Sequence, residues 1–278
     1  MSSLITHFNN LLDTPYTVIL SDLKEILFAW LYFYIGAHIL YYIVSYLLRI
    51  MLRKFYPEND SLKMKKDALY KHITMSELAF PIYALVPTLS EYTKNKNLTK
   101  LCYSIEECGG WSNTLINIFV YMFLVEAGVF WVHYWLLHVF PWGKNTFNHA
   151  KHHSFKYAHE MTSYSGFAFE AIDGASQGLP FVFFQYLIPI PVQFSVFIGT
   201  MTGVWTMLIH CGNVSLPWPF LGPDYHNIHH IYNWYNFGLF TRFYDWLFDT
   251  LRHPDDKRAH SKFAKNKKFQ GIGGIKTS

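Results

Sequence analysis

Ten of the fifteen histidines in this 278-residue chain fall between His133 and His230, most of them in three short clusters. The first is His133-Tyr-Trp-Leu-Leu-His138, the second His149-Ala-Lys-His152-His153 and the third His226-Asn-Ile-His229-His230. The last two share the pattern H-x-x-H-H. On a helix, positions i, i+3 and i+4 share one face, so each such cluster is expected to point three imidazoles at one place. Imidazole is a good ligand for Zn, Fe, Cu and Ni. Eight histidines exceed the needs of one four-coordinate zinc, and the spacing therefore predicts two metals. His210 ends an apolar run in Ile209-His-Cys-Gly-Asn213 and is a ninth candidate, because ionisable groups at a membrane edge are functional candidates by default. The candidate ligands are thus His133, His138, His149, His152, His153, His210, His226, His229 and His230.

Supporting residues are fewer. Glu126 lies seven residues before His133, nearly on the same helical face. It is expected either to orient a ligand imidazole by accepting its second N–H or to sit as a carboxylate solvated in a polar cavity. Asp224 and Asn213 are two further candidates to support the ligands. His7, His38, His72, His159, His253 and His260 read as structural. No carboxylate lies inside the clusters, so the ligands would be neutral imidazoles and would not offset the metals' charge. Such a site suits O2-derived anions and a strongly oxidising intermediate, whereas hydrolytic zinc needs fewer ligands and an open water position. Zinc can still replace iron there, since the affinity order favours it.

The elements that must hold these residues are membrane helices. The chain is 51% hydrophobic and 19% aromatic, with 15% charged residues. Residues 26–48 carry no formal charge and are long enough to cross a bilayer. Residues 175–223 form a second uncharged run, interrupted only by His210. Further spans are expected at 115–132, with His133 at its end, and at 179–209. Pro189-Ile-Pro191 breaks the latter into a hairpin of two short helices returning to the same side. Residues 78–90, with Pro81 and Pro87, read as a kinked span or a re-entrant piece. The basic residues of 49–76, set against Lys24 alone before the first span, place that stretch in the cytoplasm and the N-terminus outside or in a lumen. If residues 78–90 cross, all three clusters fall on the cytoplasmic side. The N-terminus lacks a basic n-region and does not read as a signal peptide.

Elsewhere the sequence says less. Residues 93–111 read as a lumenal loop carrying the sequon Asn97-Leu-Thr99 and Cys102 and Cys108, which could pair there. Cys211 falls on the cytoplasmic side and should be a reduced thiol. The lysine-rich tail after Arg252 reads as a solvated cytoplasmic segment. A net charge of +4, with no aromatic-basic platform, does not suggest nucleic acid as a partner. There is no internal repeat and no Gly-rich phosphate loop. The expected architecture is all-α: a polytopic helix bundle of about four or five passes, some as a hairpin, with a cytosolic helical cap carrying a His-rich di-metal site. Residues 1–278 read as one membrane domain.

The order H-x(3–4)-H, H-x-x-H-H, H-x-x-H-H in a small polytopic chain resembles the fatty acid hydroxylase / sterol desaturase superfamily. The likeness covers about residues 125–252, within an expected histidine-box catalytic region of 115–252. Val125-Glu-Ala-Gly-Val-Phe-Trp-Val-His133 is similar to the segment leading into the family's first histidine box. Ser165-Gly-Phe-Ala-Phe-Glu-Ala-Ile-Asp-Gly174, Gln177 and Leu179-Pro180 resemble the sterol C-5 desaturase branch. So do Gly222-Pro-Asp-Tyr-His-Asn-Ile-His-His230, Asn236-Phe-Gly238 and Asp245-Trp-Leu-Phe-Asp-Thr-Leu-Arg252. Two positions differ from that branch. Four residues rather than three separate His133 from His138, with Tyr134 in place of the branch's Arg, and Glu170 stands where a histidine is usual.

The resemblance implies an O2-dependent oxidase of a lipid C–H bond with two iron ions. It further implies a sterol or other lipid substrate and electrons from NAD(P)H through cytochrome b5 and its reductase. The setting would be the endoplasmic reticulum membrane, with the boxes facing the cytosol. The favoured activity is sterol desaturation, the alternative a lipid hydroxylase acting on fatty acyl chains or sterol methyl groups. A metal transporter would place its ligands near the bilayer midplane, often with an internal repeat, and the pattern here disfavours one. At i, i+5 the imidazoles of His133 and His138 diverge by about 140° on an ideal α-helix. A π-bulge adds one residue to a turn and would return both to one azimuth, so a bulge is expected there.

Overall fold

The computed structural model describes residues 16–254 apart from Asn213. The candidate Asn213, the histidines His7 and His260 and the lysine-rich tail lie outside the described residues.

Helix α1, Tyr16–Phe55, is longer at both ends than the uncharged run that predicts it. Its 40 residues reach about 60 Å at 1.5 Å per residue, twice the hydrocarbon thickness of a bilayer. Tyr41, Ser45, Leu48 and Leu52 recur at helical spacing and are buried, while Phe28, Tyr32, Ile35, Ile39, Ile43 and Tyr46 are exposed on its lipid face. The chain returns through α2, Lys66–Tyr83, and α3, Leu85–Asn95, which Ala84 joins in right-handed conformation. Together they form one apolar stretch, Lys66–Asn95, long enough to cross a membrane. Residues 78–90 thus lie in the middle of one kinked helical stretch that is long enough for a complete span.

Helix α4, Gly110–Trp131, continues without a break into a π-helix, Val132–Val139. After the short α5, Pro141–Phe147, come three 3₁₀ turns, His149–Ser154, Ala158–Glu160 and Ser163–Phe167. The hairpin follows as α6, Ala171–Phe184, and α7, Val192–Ile209. Two short helices close the described chain, α8, Pro223–Tyr232, and α9, Phe243–Leu247. Among the described residues, four stretches are long and apolar enough to span a membrane: Leu20–Phe55, Lys66–Asn95, Gly110–Val139 and Val192–Ile209.

Contacts sort the connections onto two ends. At one end, Lys96 pairs with Asp22 at 2.7 Å and Lys100 N–H donates to Gln185 O at 2.7 Å. Strand β1, Leu101–Cys102, pairs in parallel with β2, Ile190–Pro191, at the hairpin tip. Gln185 ties this end together, accepting from Ser90 Oγ at 2.6 Å and donating to Ser195 Oγ at 2.8 Å. At the other end lie Phe55, Val139, the start of α6 and the end of α7, and all three histidine clusters lie there too. The gap between helices is closed by small residues. Any Cβ at Gly174, in the first turn of α6, would strike the Tyr83 ring.

Cys102 and Cys108 are disulfide-bonded, and Cys211 is a buried free thiol. Alkylation of the unfolded, unreduced chain should therefore modify one thiol, and three after reduction. Intact mass measures this, and three modified thiols without reduction would contradict the pairing.

Candidate metal centre

The nine candidate histidines converge in two groups. His133, His138, His149, His153 and His229 form the first, and His152, His210, His226 and His230 the second. Within each group the donor atoms lie within 4.8 Å of one another, and all nine residues are buried.

The local conformations explain this sorting. The π-helix supplies the extra residue per turn that the five-residue step needs, as the sequence predicts. His133 and His138 rings lie 5.2 Å apart, and His138 is 4.8 Å from His149 and 4.9 Å from His153 and His229. The end of the π-helix is pressed by the next helix. A Cβ at Gly143 would collide with the Leu136 carbonyl. Gly143→Ala should thus push the π-turn out of place at a cost of about 1–3 kcal/mol, typical of overpacking. A fall in melting temperature together with weaker metal retention is the expected result; wild-type behaviour in both would show that α5 simply moves aside.

Each H-x-x-H-H box straddles the groups instead of pointing three imidazoles at one place. On α8, at 100° per residue, His226 lies 40° from His230 but 60° to the other side from His229. His226 and His230 enter the second group and His229 the first. In the 3₁₀ turn after Asn148, which is left-handed with φ 52°, His149 and His153 enter the first group and His152 the second.

Six of the nine rings are fixed through Nδ1. His133 donates to Phe237 O at 2.9 Å, His229 to Tyr235 O at 2.8 Å and His230 to Phe155 O at 2.8 Å. His152 donates to Ala168 O at 3.2 Å, His210 to Thr206 O at 2.7 Å and His149 to Asp173 Oδ2 at 2.7 Å. A carbonyl or carboxylate only accepts, so these rings carry their proton on Nδ1 and leave Nε2 bare. Yet His152 Nε2 faces His210 Nε2 at 3.2 Å. His226 Nε2 lies 3.1 Å from both His210 and His230 Nε2. His152 and His210 both carry their proton on Nδ1, so their opposed Nε2 lone pairs repel unless a cation takes them. In the first group, His133, His138 and His229 Nε2 are buried without any hydrogen-bond partner. Buried nitrogens of this kind, without a protein donor to meet them, fit a metal ion in each group.

Protons cannot easily do the same work. Burial, followed by the neighbouring imidazoles, holds His152, His153, His226, His229 and His230 well below the ordinary histidine value. Burial pushes His210 down to about 4. These groups are neutral when folded and protonate near 6.5 when unfolded. The unfolded state therefore binds more protons below that value, and stability falls as pH drops through 6.5 toward the folded values. Metal-stripped protein should melt at a constant temperature above pH 7 and at steadily lower temperature from pH 6.5 to 5. Each such histidine costs roughly 1.4 kcal/mol per pH unit in that window. A flat profile would contradict neutral burial.

The supporting residues differ from expectation. Glu126 orients no imidazole. Its carboxylate accepts from Phe240 N–H at 3.1 Å, Thr241 N–H at 2.8 Å and Thr241 Oγ1 at 3.1 Å. It holds the loop whose Phe237 carbonyl anchors His133, one step further from the ligand than the helical face suggests. Nor does Asp224 touch a clustered imidazole, because two residues at 100° each put it on the far side of α8 from His226. Its oxygens accept from Ser215 Oγ at 2.6 Å and Tyr225 N–H at 2.9 Å.

Sequence reasoning missed Asp173. Among the described residues it is the one carboxylate bonded to a clustered imidazole, it is fully buried, and Gln177 Nε2 donates to its other oxygen at 3.1 Å. The available signal was its position as the last charge before the 49-residue uncharged run. Asn236 and Asp245 were also missed as scaffold. Asn236 bridges the Tyr225 and Arg252 carbonyls at 2.9 and 3.0 Å, and Asp245 accepts from Phe237 and Gly238 N–H, each at 2.8 Å. His38, bonded to Glu77 at 2.8 Å, His72, His159 and His253 join neither group.

A cavity of about 40 Å³ touches both groups, with Val129, Phe169, Gln177, Thr206, Ile209, Gly238 and Leu239 as its other walls. It is mostly apolar and lies between α4, α6 and α7.

The Fatty acid hydroxylase family profile matches residues 118–250. The chain is 32% identical to the Delta(7)-sterol-C5(6)-desaturase of Nicotiana tabacum over 241 residues, covering 85% of this chain and 88% of the relative. The chain belongs to the fatty acid hydroxylase / sterol desaturase superfamily. Other superfamily relatives include the putative Delta(7)-sterol-C5(6)-desaturase 2 of Arabidopsis thaliana, 32% identical with 84% and 83% covered, and the lathosterol oxidase of Mus musculus, 26% identical with 84% and 78% covered. No solved structure matches this superfamily member. Membership makes it an oxidoreductase, with buried histidine groups that could hold metals.

Proposed function

We propose that this superfamily member introduces a double bond into a sterol ring, using two iron ions. His133, His138, His149, His153 and His229 would hold one ion, and His152, His210, His226 and His230 the other. The carrying observation is the set of bare, mutually opposed Nε2 atoms fixed by Nδ1 hydrogen bonds. When bound, the irons supply O2 activation and the power to remove hydrogen from an unactivated carbon. Zinc would occupy the same nitrogens without that redox chemistry.

The chain's own groups do the rest. Backbone carbonyls and Asp173 keep six of the nine rings in one tautomer and orientation, so the site needs little reorganisation. The apolar cavity wall excludes water and holds a substrate carbon against both groups. A sterol would enter laterally from the bilayer between α4, α6 and α7. The substrate gives up two hydrogens, and O2, with two electrons and two protons from outside, leaves as two waters. The electrons would come from NAD(P)H through a reductase and cytochrome b5. The histidine end would face the cytosol, in the endoplasmic reticulum membrane. Residues 115–252 would form the catalytic region within one membrane domain spanning 1–278.

The five-residue step from His133 to His138 supports a second reading, since that spacing is more like that of lipid hydroxylases than of sterol desaturases. Sterol extracts from a desaturase-deficient host expressing this chain separate the two. A new ring double bond is expected, whereas a new hydroxyl with no new double bond would overturn the desaturase reading.

A further inference from the structure

Outside the histidine site, a cavity of about 500 Å³ opens on the opposite flank of α8. Its polar walls are Ser215, Asp224, Tyr225, Asn227, Arg242 and His253. Arg242 is 5% exposed, and among the described residues no carboxylate lies within ion-pair distance of it. A guanidinium carries five N–H donors. Here Nη2 reaches only the Leu216 carbonyl, at 3.4 Å, and Nε has no partner. The cation is stacked 4.2 Å over the Tyr225 ring and 5.4 Å from that of Trp218. The neighbouring Asp224 carboxylate is already engaged by Ser215 and the Tyr225 N–H. His253 lines the mouth, its Nδ1 2.6 Å from the Tyr225 hydroxyl.

A buried charge without a partner is costly, and the planar guanidinium fork matches an oxyanion with two acceptor oxygens. The surroundings select which oxyanion. Trp218 is 55% and Phe220 45% exposed. Phe220 rests 6.0 Å from Trp205 of α7, a membrane-spanning helix. Exposed aromatic rings at the end of a span sit at headgroup level. We propose that this cavity binds the phosphate of a phospholipid headgroup, with Arg242 as its counter-ion. A bound lipid would tie residues 214–222 and the first turn of α8 to the membrane surface, one residue from His226. The proposal rests on Arg242 and its surroundings, independently of what the histidines hold.

The test uses full-length, metal-loaded protein, delipidated in detergent. Native mass spectrometry and thermal melting follow the addition of dioleoylphosphatidylcholine, dioleoylglycerol or inorganic phosphate. Phosphatidylcholine should be retained and raise the melting temperature, and dioleoylglycerol, which has the same chains without phosphate, should do neither. Arg242→Gln should weaken retention about tenfold, a modest figure for a charge-assisted pair. If Arg242→Gln loses its metal or its fold, His253→Ala at the exposed mouth takes its place and should weaken retention by a smaller factor. Equal stabilisation by inorganic phosphate, with no lipid retained, would assign the site to a soluble anion and overturn the lipid reading. Retention unchanged in both variants would move lipid binding elsewhere.

Discussion

Alanine at His229 should lower the metal content from about two ions per chain to about one and remove turnover. His229 is fully buried, its Nδ1 is fixed by the Tyr235 carbonyl, and its Nε2 faces four other imidazoles of the first group. Removing it leaves four donors for an ion that otherwise has five and opens a cavity at the centre of the group. Losing an outer-shell partner alone typically costs 10–100-fold in metal affinity, and a direct ligand should cost more. His226→Ala should instead empty the second group and spare the first, because α8 sends these two neighbours to different groups. Metal analysis of the two variants, with the fold checked by thermal melting, makes the comparison. Wild-type metal and full turnover in His229→Ala would remove that residue from the site, and loss of both ions in either variant would show that the groups bind as one unit.

The second large effect belongs to a residue that is not a ligand. Asp173→Asn should weaken metal binding in the first group roughly 10–100-fold and leave the second group loaded. Asp173 accepts from His149 Nδ1 at 2.7 Å and from Gln177 Nε2 at 3.1 Å, with no exposure to solvent. The carboxylate both fixes the tautomer and raises the basicity of the imidazole. An asparagine has one acceptor oxygen, so its amide must turn an N–H toward either His149 or Gln177, both of which are donors. Chelator competition on the purified variant measures the change. Unchanged affinity would mean that packing alone orients His149.

Legibility varied across the chain for physical reasons. Spans were visible because a bilayer imposes length and apolarity, and the hairpin because Pro189 and Pro191 cannot continue a helix. The π-helix was legible because two histidines five apart share a face only there. Helix ends were not, since α1 carries its polar ends, including Asp22 and Arg49, well beyond the uncharged run. The division of each H-x-x-H-H box between two groups was also hidden. It depends on where the seam between the groups crosses α8 and the 3₁₀ turn, which is a tertiary fact. Asp173 and the loop anchored by Asn236, Asp245 and Glu126 escaped for a similar reason. Their partners are 24, 11, 8 and 114 residues away, and no local spacing encodes such contacts.

The most direct test of the two-metal site is X-ray anomalous scattering at the iron edge from the iron-loaded protein in a crystal. Two peaks are expected, one in each histidine group, with His133 and His138 nitrogens both roughly 2.0–2.3 Å from the first, near the usual Zn–N distance. A single peak, or a His138 ring turned away from the pocket of His149, His153 and His229, would contradict the account.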